Sequence, residues 1–185
     1  MSTPPALTGL RALAHPVRLR ILSLLTGTAM SAADVARELG ANQANISYHL
    51  RQLHKVGLVD VVDQVRIRGG LAKRYRHDPD SGPLPRPSDR QDHLLFASAM
   101  AEELRRRSGQ RLLDAPASTT DAELWLPAEQ WRELVAKANE LGELLHRAAQ
   151  PPGSPGAVRT SATIALFTMA PTGQRATGET DGGSA

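Results

Sequence analysis

Between Ser31 and Leu58 the chain reads SAADVARELGANQANISYHLRQLHKVGL, two short helical patterns divided at Gly40, and this stretch restricts what the whole can fold into. Val35, Ala36 and Leu39 fall on one side of the first pattern. Ile46, Leu50 and Leu53 do so in the second, at the i, i+3, i+4 and i+7 spacing of a helix. Ser31 and Asn42 are suited to cap the two N-termini, because a side-chain oxygen there takes up an orphan backbone N–H. Gly40 suits the left-handed residue that closes the first helix. Neither helix is long enough to bury its stripe alone, so a third must cover both.

At 100° per residue the second helix turns Ile46, Leu50 and Leu53 inward and Ala44, Tyr48, Arg51 and Lys55 outward. Gln43, Asn45 and Ser47 lie toward its N-terminal end, and no carboxylate occurs from Asn42 to Val59. Amide, hydroxyl, phenol and guanidinium groups on one helix face match the donors and acceptors of a DNA major groove between two rows of phosphate. The plainer alternative is a solvated polar face on a three-helix bundle.

The charge distribution bears on that choice. Residues 1–77 carry eleven Lys or Arg against four Asp or Glu, net +7, while residues 78–185 carry eleven against fifteen, net −4, which together give the chain's +3. A basic half beside an acidic half implies one surface for a polyanion, with nucleic acid the economical choice, and another for different work. The chain has no cysteine, which excludes disulfides, thiolate nucleophiles and Cys-ligated metal sites. There is no apolar run of membrane-spanning length and no signal-peptide pattern, so a cytoplasmic location is expected.

Upstream of the helix pair, Leu7, Leu10, Leu13 and Ala14 predict a short amphipathic helix ending before Pro16. Pro16 suits the first turn of the next helix, over Val17 to Leu25, with Leu19, Ile21, Leu22, Leu24 and Leu25 as core and Arg18 and Arg20 outside. Downstream, Leu58, Val59, Val61, Val62, Val65 and Ile67 predict a strand, and Leu71 to Tyr75 its return across Arg68, Gly69 and Gly70. This hairpin carries Arg66, Arg68, Lys73, Arg74 and Arg76 with Asp63 nearby. Such a ribbon can lie along phosphates, or it can be an edge hairpin kept soluble by arginine.

From Ala12 to His77 the runs LAHPVRLRILSLL and SAADVARELGANQANISYHLRQLHKVGLV, followed by a basic turn ending in KRYR, resemble the winged helix-turn-helix domain of the ArsR family of bacterial transcription regulators. The resemblance implies a symmetric homodimer that binds double-stranded DNA, with Arg66 to Arg76 as the wing. It implies recognition residues at Gln43, Asn45, Ser47, Tyr48 and Arg51, with His49 beside them on the core side. It also implies dimerisation through the first helix, at Leu7, Leu10 and Leu13, and through a helix after the wing.

Residues 78–89, rich in proline, read as a stiff linker. A long helix is expected from Arg90 to Leu112, with Leu94, Ala97, Met100, Ala101 and Leu104 along a dimer seam. Arg105, Arg106, Arg107 and Arg111 near its end serve either the helix dipole or a second DNA contact. From Thr119 the order is strand, helix, strand: Ala122 to Leu126, a helix from Pro127 to Ala149, and Arg159 to Met169. That unit is too small to stand alone. Residues 171–185 read as a tail.

Family members often sense metals, but His15, His49, His54, His77, His93 with Asp92, and His146 lack a ligand spacing, so no metal site and no cofactor is expected. No catalytic motif is present and no catalytic residue is assigned. Trp125 and Trp131 flank Pro127 and are either core anchors or the lining of a small-molecule effector pocket. The expected fold is mainly α with a small β component (α+β): a winged helix-turn-helix over residues 1–77, then a dimerisation and effector domain over 90–170. The expected function is that of a sequence-specific regulator, most simply a repressor, on a palindromic operator. The alternative is a winged helix that binds an acidic protein partner or coats the nucleoid without reading sequence.

Overall fold

His15 and Pro16 start the helix on which the domain is built. The computed structural model of the protein describes residues 9–67, 70–77 and 90–171. Leu7, Arg68, Gly69, the expected linker at 78–89 and the expected tail beyond residue 171 lie outside these residues. Helix α1 (Gly9–Leu13) ends before the proline, and α2 (Pro16–Gly27) begins on it. The His15 Nδ1 accepts the backbone N–H of Val17 at 3.2 Å and so caps α2.

After α2 a short strand β1 (Met30–Ser31) leads into α3 (Ala32–Leu39), and α4 (Gln43–Lys55) follows across a three-residue turn. Ser31 and Asp34 form a reciprocal capping box, with the Ser31 hydroxyl and N–H both donating to the Asp34 carboxylate, at 2.7 and 3.1 Å. Those hydrogen bonds, led by the hydroxyl's, hold the Asp34 carboxyl below its usual range, and Arg37 adds to the effect. Gly40, at φ 60°, ends α3, and the Ala41 N–H returns to the Ala36 carbonyl at 2.9 Å. Gly57, at φ 73°, does the same for α4, with the Leu58 N–H on the Leu53 carbonyl at 3.0 Å.

Strands β2 (Asp60–Ile67) and β3 (Gly70–Arg76) form the expected hairpin, and β1 adds to its other side, giving an antiparallel sheet in the order β1-β3-β2. The two-residue β1, paired as Met30 with Tyr75 and Ser31 with Arg74, is too short to leave a periodic trace in sequence. One core cluster holds Leu10, Leu13, Ile21, Leu25, Val35, Ile46, Leu50, Leu53, Val59 and Tyr75. Helix α5 (Arg90–Ser108) crosses α1 and α2 and closes this core with Phe96. Arg11 on α1 approaches the buried carboxylate of Asp92 on α5 at 3.6 Å. The architecture is an α+β winged helix-turn-helix, as its sequence pattern predicts.

Four expectations need correction. Arg18 is buried rather than outside, and its guanidinium donates to the Arg11 carbonyl on α1 at 3.4 Å. Helix α5 stops at Ser108 and not Leu112, because Gly109 follows. The helix α6 (Ala128–Ala148) forms as expected, but neither flanking segment is a strand, since neither Ala122 to Leu126 nor Arg159 to Met169 has a strand to pair with. Trp125 is 85 % exposed and anchors nothing.

Candidate nucleic-acid interface

Helix α4 stands on three side chains, Ile46, Leu50 and Leu53, each 0 % exposed. Its first turn is fixed by Asn42, whose side-chain oxygen accepts the N–H groups of Ala44 and Asn45 at 2.8 and 3.4 Å. With one face locked and one end capped, the other face is held rigidly. Gln43, Asn45, Arg51 and Lys55 are exposed on it, Tyr48 is 49 % exposed, and Ser47 is half-buried. A phenol half in water on a polar surface carries a planar apolar body and a hydrogen-bonding tip to the same place.

His49 lies behind that face and does not belong to it. It is buried, its ring centroid 4.6 Å from that of His15 and 5.4 Å from that of Tyr48. Burial, with His15 and Arg18 as like-charged neighbours, pushes its pKa down to about 4. His15 is lowered too, chiefly by burial and then by Arg18. A neutral imidazole pair therefore backs Tyr48 at the junction of α2 and α4. Sequence reasoning missed this backing because its members are thirty-odd residues apart, although the histidine before Pro16 and the arginine three positions on were both visible.

The hairpin cations divide by face, which the strand register reveals. Residues paired across an antiparallel ladder share a side, and Arg66 pairs with Leu71 while Lys73 pairs with Gln64. Arg66 and Lys73 are thus on one face, both exposed. Arg74 and Arg76 are on the other, opposite Asp63 and Asp60 respectively. Arg74 binds the Asp63 carboxylate at 3.1 Å and the Ala29 carbonyl at 2.6 Å, which ties the hairpin to the start of β1. It is a clasp of the sheet, whereas Arg66 and Lys73 project free of carboxylates.

Of the expected dimer-seam residues, Leu10 and Leu13 are 3 % and 0 % exposed inside the chain's own core, and Met100 leans on that core. Leu94, Ala101 and Leu104 are open and Ala97 is half-buried. The histidines are spread out: His54 Nδ1 lies 2.9 Å from the Val59 carbonyl, His77 Nδ1 2.8 Å from the Leu58 carbonyl, and His93 faces Phe167. Among the described residues no three His, Asp or Glu side chains come together as a metal site, and no helix is long and apolar enough to cross a membrane.

A family model described as a helix-turn-helix domain matches residues 13–62, from the end of α1 to the first residues of β2. No curated protein matches the chain. The match and the geometry agree that residues 13–62 form a helix-turn-helix domain, which suggests a DNA-binding regulator.

Proposed function

We propose that this protein is an ArsR-type transcription regulator, a cytoplasmic homodimer that reads a palindromic operator and represses by occupying it. The observation that carries this reading is the outer face of α4, free of carboxylate from Asn42 to Val59 and held on three fully buried apolar residues. Each copy lays α4 into a major groove, and the two recognition helices stand about 34 to 36 Å apart, one turn of duplex. Gln43, Asn45, Ser47 and Tyr48 reach base edges from the N-terminal half of the helix, and Arg51 supplies a bidentate donor for guanine. Lys55, Arg66 and Lys73, with Arg68 and Arg76 at the wing, hold phosphates and set the salt dependence.

Repression follows from the simplest consequence of occupancy, exclusion of polymerase from a promoter. No catalytic step, metal or cofactor enters this account. Selection of bound sequences from random duplex DNA, followed by affinity at several salt concentrations, tests it. The expected result is enrichment of one two-fold symmetric sequence, bound at least about a thousandfold tighter than random duplex. Uniform, sequence-blind affinity would instead make the protein a nucleoid-coating or protein-binding module.

A further inference from the structure

Two polar side chains buried behind the outer face of α4 are not explained by the stability of the fold. A buried imidazole ordinarily finds a hydrogen-bond partner, and His77 does, with its Nδ1 2.8 Å from the Leu58 carbonyl. His49 departs from this: it is 4 % exposed, and its Nδ1 has no hydrogen-bond partner among the described residues. Arg18 is buried near it, with its Nε equally unpartnered among those residues. Burying such groups costs free energy that an apolar side chain of similar volume would not, and sequences break this rule chiefly at functional sites.

What these groups adjoin is the Tyr48 side chain. The His49 and Tyr48 rings meet edge to face, their planes at 68°, an arrangement whose energy depends on angle and so restrains the plane of the phenol. Among the described residues Tyr48 has no other ring partner and no hydrogen bond, so its hydroxyl is unengaged. Behind His49 stands the His15 ring, tilted by 54° to it. His15 is itself tied to the backbone of α2, because its Nδ1 accepts the Val17 N–H, a bond that leaves the neutral ring's proton on Nε2. The Arg18 guanidinium lies within electrostatic reach of both imidazoles and of the phenol. A line of contacts therefore runs from the start of α2 through His15 and His49 to a side chain on the outer face of α4. Burial of Ile46, Leu50 and Leu53 fixes where α4 lies, but not the torsions of a phenol half in water.

We infer that His49 is a positioning residue for DNA reading: packed against Tyr48 and backed by His15, it sets the orientation in which the phenol meets a base edge, without itself reaching DNA. This rests on the regulator of the proposed function and adds a buried determinant of specificity to the exposed ones. An unrestrained tyrosine has to be ordered on binding, at an entropic cost that lowers affinity; a phenol already held does not bear it. The difference falls on sequence-specific binding, because on a random duplex the attraction comes from phosphates and the phenol can turn aside. The choice of an imidazole follows from the same role. An edge-to-face contact needs a planar ring, and an aliphatic chain of the same volume has no preferred angle to offer.

A double-mutant cycle on the full chain tests this, with affinities measured for the sequence enriched from random duplex DNA and for random duplex itself. His49→Leu should weaken binding to the enriched sequence about two- to tenfold and leave random-duplex affinity unchanged. In a Tyr48→Ala background the same change should have no further effect, whereas a substitution that merely loosened α4 would weaken binding in either background. A second readout needs no DNA. The chain has two tyrosines, Tyr48 and the buried Tyr75, and in ring-labelled protein the Tyr48 signals should show through-space contacts to the His49 ring. The motional order of that ring should fall in His49→Leu, or in His49→Gln where the leucine variant does not fold. Equal losses on both duplexes, a loss that persists in the Tyr48→Ala background, or a Tyr48 ring equally ordered without the imidazole would overturn the inference. A natural chain that selects no sequence while its Tyr48 ring is held by His49 would instead remove the regulator reading.

Discussion

The two ends of this chain obey the same periodicity rules with opposite results. Residues 10–75 place their apolar stripes face to face in one cluster, with ten apolar side chains at under 4 % exposure, whereas α6 has an equally regular stripe, half-buries Trp131, Val135 and Ala138, and fully buries none of it. Amphipathic pattern specifies that a face must be covered; it does not specify by what. In the first region four helices and a sheet supply most of the cover within residues 10–75, and Phe96 of α5 completes it from further along the chain. In the second no such cover lies among the described residues, and none of the residues of α6 is fully buried.

Several substitutions sharpen that contrast. The largest effect is expected for Leu50→Ala, which empties a site at 0 % exposure and should cost about 2 to 5 kcal/mol in urea unfolding. Leu141→Ala, at 48 % exposure, should leave the unfolding of the N-terminal domain within about 0.5 kcal/mol when measured on dilute, monomeric protein. Equal losses at the two positions would erase the distinction between the regions.

Next is acid sensitivity, to which His49 of the N-terminal domain should contribute. His49 has its pKa pushed down to about 4, against an ordinary value of 6.5, so the unfolded chain binds that proton first as pH falls. The stability it contributes is complete above about pH 6.5 and is lost as pH drops toward 4, by no more than about 3 kcal/mol. His49→Gln should flatten urea midpoints across that window, and a profile as steep as the parent's would place the titration elsewhere. Ser31→Ala, which removes a capping hydroxyl and half of the box with Asp34, should cost about 1 kcal/mol by the same measurement.

The smallest stability effects separate the hairpin cations. Arg74→Ala should cost up to about 1 kcal/mol, since it loses the Ala29 carbonyl and a partly exposed ion pair with Asp63. Lys73→Ala should leave stability unchanged and reduce the slope of log affinity against log salt by about 1. The opposite assignment would mean that the face division drawn from the strand register is wrong.

Much of the N-terminal domain was legible because its signals are local. Ser31, Gly40 and Asn42 each take the capping role their chemistry suits, and Ile46, Leu50 and Leu53 point inward as 100° per residue requires. What was not legible depends on pairing at a distance. Strand β1 is defined only by its ladder to Tyr75 and Arg74, Arg18 turns back to the Arg11 carbonyl of α1, and Arg74 is distinguished from Lys73 only by register. The segments from Ala122 to Leu126 and from Arg159 to Met169 have strand-like composition without a strand partner, and propensity alone does not make a sheet.

The central claim is that the face from Gln43 to Lys55 lies against base edges. The most direct measurement is the ratio of affinities for the selected operator and for random duplex, in the natural chain and in Arg51→Ala. The account predicts a fall of about ten- to a hundredfold in operator affinity, with random-duplex affinity reduced severalfold at most. Equal losses on both duplexes would contradict it and reduce Arg51 to a holder of phosphate.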